Sequence, residues 1–178
     1  MKFKSLVFSI LFVCGSSLSV QADSGSANDP VGTWLLTVAF PAAPPFKELV
    51  SLHHRGTLSE TNATLNANIS PFSPFVLTAS DGYGAWARSD HGTITFTFLK
   101  LVFCGEGFGP AEAAMGCAFT NQHLGYLRVR AQGRIAGNHF EGGSSSTELL
   151  IGNDPDTAMA INLGVAESSG QRVAAESP

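Results

Sequence analysis

Basic residues are scarce in this chain. Ten Lys and Arg face fourteen Asp and Glu among 178 residues, and no segment concentrates the cations. Nucleic acids and anionic membrane surfaces call for such a concentration, so neither is expected as a partner. Long apolar runs are missing too: the run from Leu6 to Val13 falls far short of the roughly 20 residues that cross a bilayer, and no membrane span is expected. No stretch carries the apolar period of an amphipathic helix. Catalytic signatures are equally absent. There is no Gly-x-Ser-x-Gly elbow, and Gly105 to Pro110 has the wrong spacing for a phosphate loop, with no helix expected after it. His53 and His54 are adjacent and point to opposite faces of a strand, and nothing in the spacing brings His91, His123 or His139 to either. Neither a metal nor a cofactor is expected, and whether the protein is an enzyme stays open.

Charged residues make up only 13% of the chain, whereas Gly, Ser, Thr and Phe are abundant, the balance of an extracellular all-β protein. The N-terminus agrees with that compartment. Lys2 and Lys4 precede the apolar run, and Val20-Gln21-Ala22 ends it as a small-residue cleavage signature, so residues 1–22 read as a secretory signal peptide. Cleavage there leaves 156 residues, enough for one domain, with 8 basic against 14 acidic side chains. Residues 23–29 read as a disordered leader, 30–166 as the domain and 167–178 as a loose polar tail. Two cysteines remain after cleavage, Cys104 and Cys117. In an exported chain such a pair reads first as a disulfide, with buried free thiols as the alternative. A bridge across 12 intervening residues contributes on the order of 3 kcal/mol.

Alternation of apolar and polar residues marks the strands. Residues 31–40 put Trp34, Leu36, Val38 and Phe40 on one face, and residues 47–54 and 57–62 flank the turn at Arg55-Gly56. Residues 66–80 lack a period and read as a loop packed across one end of the domain. Strands follow at 82–88, 92–104, 123–136, 140–151 and 158–166, the last with Met159, Ile161, Leu163 and Val165 on one face. In the run from Gly92 to Cys104, Ile94, Phe96 and Phe98 hold one parity, but Lys100 falls on it while Leu99, Leu101 and Phe103 take the other. A bulge or strong bend near Leu99 is the expected cause. About eight short strands joined by tight turns make an antiparallel meander, and closure into an up-and-down barrel removes its exposed edges. A β-sandwich is the alternative.

Gly32-Thr33-Trp34 on the first strand, ahead of this meander, resembles the calycin superfamily of lipocalin-like barrels. The run Gly82-Tyr83-Gly84-Ala85-Trp86, with residues 93–98 and 126–130, is similar to small lipocalin-like or allene-oxide-cyclase-like barrels. The resemblance implies that Trp34 packs across the closed bottom of the barrel. No Thr-Asp-Tyr motif and no helix after the last strand accompany it.

Three functions follow as expectations. The first is a secreted or periplasmic module binding a small hydrophobic molecule in a lumen lined by Trp34, Trp86, Phe96 and Phe98, residues that can equally be plain core. The second is a cyclase or isomerase of the same barrel type, which needs Arg128, Arg130 or Glu60 inside. Turned inward, Arg128 and Arg130 would clamp a carboxylate or enolate; turned outward, they make an ordinary solvated stripe. Glu60 is the nearest general acid or base, against the simpler reading of an exposed hairpin glutamate. The third is a filled barrel acting through its surface loops.

Overall fold

The computed structural model describes residues 28–41, 43–62, 75–89 and 91–174. The signal-peptide reading and most of the aperiodic segment 66–80 lie outside them. Nine strands are described: β1 (Gly32–Ala39), β2 (Phe46–Leu52), β3 (Thr57–Asn62), β4 (Leu77–Ala79), β5 (Gly82–Arg88), β6 (Thr93–Cys104), β7 (His123–Ala136), β8 (His139–Ile151) and β9 (Met159–Arg172). A five-residue helix, α1 (Pro110–Ala114), sits inside the insertion between the cysteines, where no helix was expected.

Eight strands close into an antiparallel barrel. The meander runs through β1, β2, β3, β5, β6, β7, β8 and β9, and β9 returns to β1 with Trp34 opposite Arg172 and Leu36 opposite Gly170. Closure satisfies both backbone edges that an open sheet would expose. β4 is additional: it extends the wall where β5 has ended, pairing Leu77 with Cys104. Between β2 and β3 the turn is a single 3₁₀ step with Arg55 at φ 69° and Gly56 at φ 80°, a tight hairpin at the site the sequence marks.

Two expectations are corrected. First, β6 carries no irregularity at Leu99. Its even positions stay inward along the whole strand, with Ile94, Phe96, Phe98, Lys100, Val102 and Cys104 all buried, and the register shift against β7 falls between Val102 and Phe103. Second, the domain does not stop at residue 166. β9 continues to Arg172 and supplies the pairing that closes the barrel, with Ala166 and Ser168 buried. The shared face expected for its first half is broken by a shift opposite Thr147 and Glu148, after which Val165 lies outside, 58% exposed.

The interior holds two apolar cores. One gathers Trp34, Leu36, Val50, Leu52, Leu58, Ile94, Phe96, Phe98, Ala131 and Phe140 toward one end. The other gathers Leu77, Val102, Cys104, Cys117, Leu124, Leu127 and Leu149 at the opposite end, which the insertion covers. Fully burying a side chain of this size contributes about 1.5–3 kcal/mol relative to leaving it exposed.

Candidate functional site

Between the two cores lies a layer of charge. Lys100 occupies the inward position of β6 between Phe98 of one core and Val102 of the other, and only 2% of it is exposed. Glu60 of β3 is equally buried, and its Oε1 accepts a hydrogen bond of 2.9 Å from Lys100 Nζ while Oε2 lies 2.7 Å from the same nitrogen. Glu48 of β2, 8% exposed, shares a hydrogen bond with Glu60. The pairing of β2 with β3 sets this contact. Val50 stands opposite Glu60 and Glu48 opposite Asn62, so the two carboxyls are inward diagonal neighbours.

Glu60 and Lys100 meet across an intervening strand. Gly82 of β5 stands opposite Glu60, one step beyond the pair Tyr83 and Leu99. A methyl group on Gly82 would sit 2.6 Å from Glu60 Oε2 and 2.8 Å from Phe98 Cδ2. The missing side chain is therefore what lets the ion pair form over β5.

The layer is electrostatically uneven. Burial pushes the Glu48 carboxyl up to about 8, and the neighbouring Glu60 charge adds to the rise while Lys100 opposes it. Burial raises Glu60 as well, against the attraction and hydrogen bond of Lys100. One proton held between the two carboxyls makes the three groups together neutral. Direct contact with Lys100 opposes the rise at Glu60, so the proton favours Glu48.

The candidate residues fall in different places. Trp34, Phe96 and Phe98 pack in the first core at 1%, 5% and 2% exposure, with the two phenylalanine rings stacked at 6.4 Å between centroids. Trp86 is partly buried against the same core, and its Nε1 donates to the His53 carbonyl at 2.9 Å. Arg128 and Arg130 do not face the lumen: the inward positions of β7 are Leu127, Val129 and Ala131. Both arginines reach Glu148 on the outer face, at 2.8 and 2.7 Å, and the Arg128 hydrogen bond above all holds that carboxyl below its ordinary value. Glu60, expected on an exposed hairpin, is in the interior. Glu48 was not singled out, and Lys100 was noted only as a charge on the apolar parity of its strand, although each shares the inward parity of the apolar residues around it.

Both ends of the barrel are closed by specific contacts. At one end Trp34 Nε1 donates to the Pro30 carbonyl at 2.9 Å, and the Arg172 guanidinium stacks 4.5 Å over the indole while donating to the carbonyls of Val31 and Asp29. Gly32 precedes this contact at φ 136°, where a side chain is strained and would meet Arg172. The other end is covered by β4 and the insertion. Cys104 and Cys117 form a disulfide there with their Cα atoms 5.8 Å apart. The buried Glu112 of α1 accepts hydrogen bonds from the amides of Val76 and Gly109, tying the insertion to the segment that leads into β4, and these bonds lower its pKa. Among the described residues no three His, Cys, Asp or Glu side chains converge as metal ligands, and no helix is long and apolar enough to cross a membrane.

Compared with protein-family models, curated proteins and solved structures, the chain gives no match.

Proposed function

We propose that the chain is an exported protein, secreted or periplasmic, of the lipocalin-like type within the calycin superfamily, and that it binds a small hydrophobic molecule inside its barrel. The observation that carries this reading is the asymmetry of the two ends. One is sealed within the barrel strands by Trp34 and Arg172, the bottom position that the resemblance implies for this tryptophan. The other is covered by an insertion and a short strand added to the wall, held by one disulfide and the Glu112 clasp. Eight-stranded barrels are either filled by side chains or hold one small ligand. Phe108, Met115, Ile161 and Leu163 pack only partly buried against the second core, and Val129 points inward between the cores with part of its surface uncovered. These residues supply the apolar lining, with Phe96 and Phe98 as its floor and Trp34 and Trp86 deeper. The disulfide fits an oxidising compartment and supports export.

The test is a titration with environment-sensitive lipophiles, read by tryptophan emission. A saturable change is expected, and its absence across a broad panel of lipophiles would sink the reading.

A second reading, an isomerase or cyclase of the same barrel type, is favoured by one observation: Glu60 lies in the interior beside Glu48. A charged carboxylate next to a protonated one is a base and an acid within reach of one substrate. Retention of full turnover by Glu60→Gln on any substrate the protein converts would remove this reading.

A further inference from the structure

A purely apolar ligand leaves the layer of Glu48, Glu60 and Lys100 without a role. Buried ion pairs are a costly way to fill a core, since well-packed apolar side chains in their place are often neutral or stabilising.

Three observations bear on what the layer receives. The first is charge. Two carboxyls share one ammonium, Lys100 contacts Glu60 alone, and burial raises the carboxyl without that contact, Glu48. An incoming anion would set three acids against one base. An incoming cation lets Glu48 ionise and leaves two carboxylates facing two ammoniums. The second is hydrogen-bonding capacity. An ionised carboxyl accepts through about four lone-pair sites and donates none, so Glu48 once ionised presents acceptors alone. Glu60 Oε2 is buried 2.7 Å from Lys100 Nζ, and the Glu60 carboxylate also takes side-chain hydrogen bonds from Asn62 and Glu48. A donor-rich head group fits that arrangement and an acceptor-only carboxylate does not. The third is position. Glu48 is the least buried of the three and lies near the start of β2, on the side of the covered end. Phe98 and the partly uncovered Val129, paired across β6 and β7, give an apolar wall next to Lys100.

From these we propose that Glu48, Glu60 and Lys100 form the polar subsite of the barrel and take the ammonium group of a small apolar amine, Glu48 releasing its proton to solvent as the amine enters. The proposal rests on the reading that the lumen binds a small molecule. The exchange balances: an alkylammonium and the Glu48 carboxylic acid become an ammonium–carboxylate pair and one free proton. Among the described residues the charged groups facing Glu48 are Glu60 from β3 and Lys100 from β6, while β1 brings Leu36 and Val38 and β5 brings Gly82. An alkylamine with an ordinary ammonium value near about 10.4 stays charged at neutral pH. Amine and proton therefore compete for Glu48.

Calorimetry on the folded chain at pH 7 with hexylamine, hexanol and hexanoate, in two buffers of different ionisation enthalpy, tests this beside titration of a solvatochromic apolar probe. Hexylamine is expected to bind at least about tenfold tighter than hexanol, with hexanoate weakest and about one proton released per amine; its Kd should tighten by up to about tenfold per pH unit between about pH 6 and 8. In Glu48→Gln, which keeps the shape of the protonated acid, proton release and pH dependence should vanish while the apolar probe still binds. Equal affinity for amine and alcohol, a preference for hexanoate, or binding without proton release overturns the proposal. If the apolar probe binds in those cases, the barrel reading survives. Failure of the probe and all three hexyl compounds overturns both.

Discussion

Lys100 Nζ lies within 2.9 Å of both carboxylate oxygens of Glu60, although the two residues belong to strands separated by β5. The contact spans β5, where the residue between them is glycine. Removing one partner leaves an unmatched charge in an apolar interior, a loss of about 3–5 kcal/mol, whereas replacing both with apolar residues of similar volume is often neutral or stabilising. Lys100→Met is therefore expected to cost about that much in urea unfolding, and Lys100→Met with Glu60→Leu less than the sum of the two single changes. Additive losses would show that the ion pair is not coupled in solution.

Gly82→Ala isolates the geometric requirement from the charges. The new methyl group would lie 2.6 Å from Glu60 Oε2 and 2.8 Å from Phe98 Cδ2, so one or both must move. Overpacking of this kind costs about 1–3 kcal/mol. The expected signature is a lowered thermal midpoint together with a shift in the titration of Glu48, since moving Glu60 changes the field on its neighbour. A midpoint equal to that of the unmodified protein would mean that Gly82 is not what separates the two side chains.

Most of the strand frame was legible in the sequence. The alternation around Trp34, Leu58, Phe96 and Leu127 comes directly from one buried and one solvated wall face, and the turn at Arg55-Gly56 is a local signal. The charged layer was not legible for a physical reason. A lysine on an apolar parity reads as a break in the strand, because an unpaired charge is too costly to bury. Its partner lies forty residues away in the chain and reaches it only over β5, past Gly82. The end of β9 was missed differently: Ala166, Ser168 and Gly170 are small or polar inward residues, and such a pattern resembles a loose tail until the pairing with β1 is seen.

The disulfide and the sealed bottom belong to different cores, so breaking one should leave the other intact. Cys104 and Cys117 sit in the second core with Leu77 and Leu124, whereas Trp34 and Arg172 close the first. Replacing both cysteines with serine is expected to cost on the order of 3 kcal/mol by the chain-entropy estimate. Hydrogen exchange should accelerate in β4 and the end of β6 ahead of β1 and β9, with Trp34 emission unchanged under native conditions. Uniform acceleration through all strands would show that the covered end does not open separately.

The pH dependence of stability follows from the raised pair Glu48 and Glu60, of which Glu48 is the one without direct contact to Lys100. The folded value of Glu48, about 8, lies above the ordinary carboxylate value of 4.5, so between those values the folded state binds more protons than the unfolded state. Stability from this group is fully present below about pH 4.5, declines as pH rises, and levels off above about pH 8. Midway the slope approaches about 1.4 kcal/mol per pH unit for one proton. Glu112 works with the opposite sign: its hydrogen bonds to Val76 and Gly109 lower its pKa, so its contribution is lost as pH falls below the ordinary carboxylate range. The two windows do not overlap. Urea midpoints across pH 5–8 should fall for the unmodified protein, and Glu48→Gln should reduce that decline to the share of the likewise raised Glu60 while leaving the acid limb set by Glu112 and Glu148. A midpoint that rises over the same range would mean that Glu48 is ionised in the folded barrel, and the neutral assembly of Glu48, Glu60 and Lys100 would have to be abandoned.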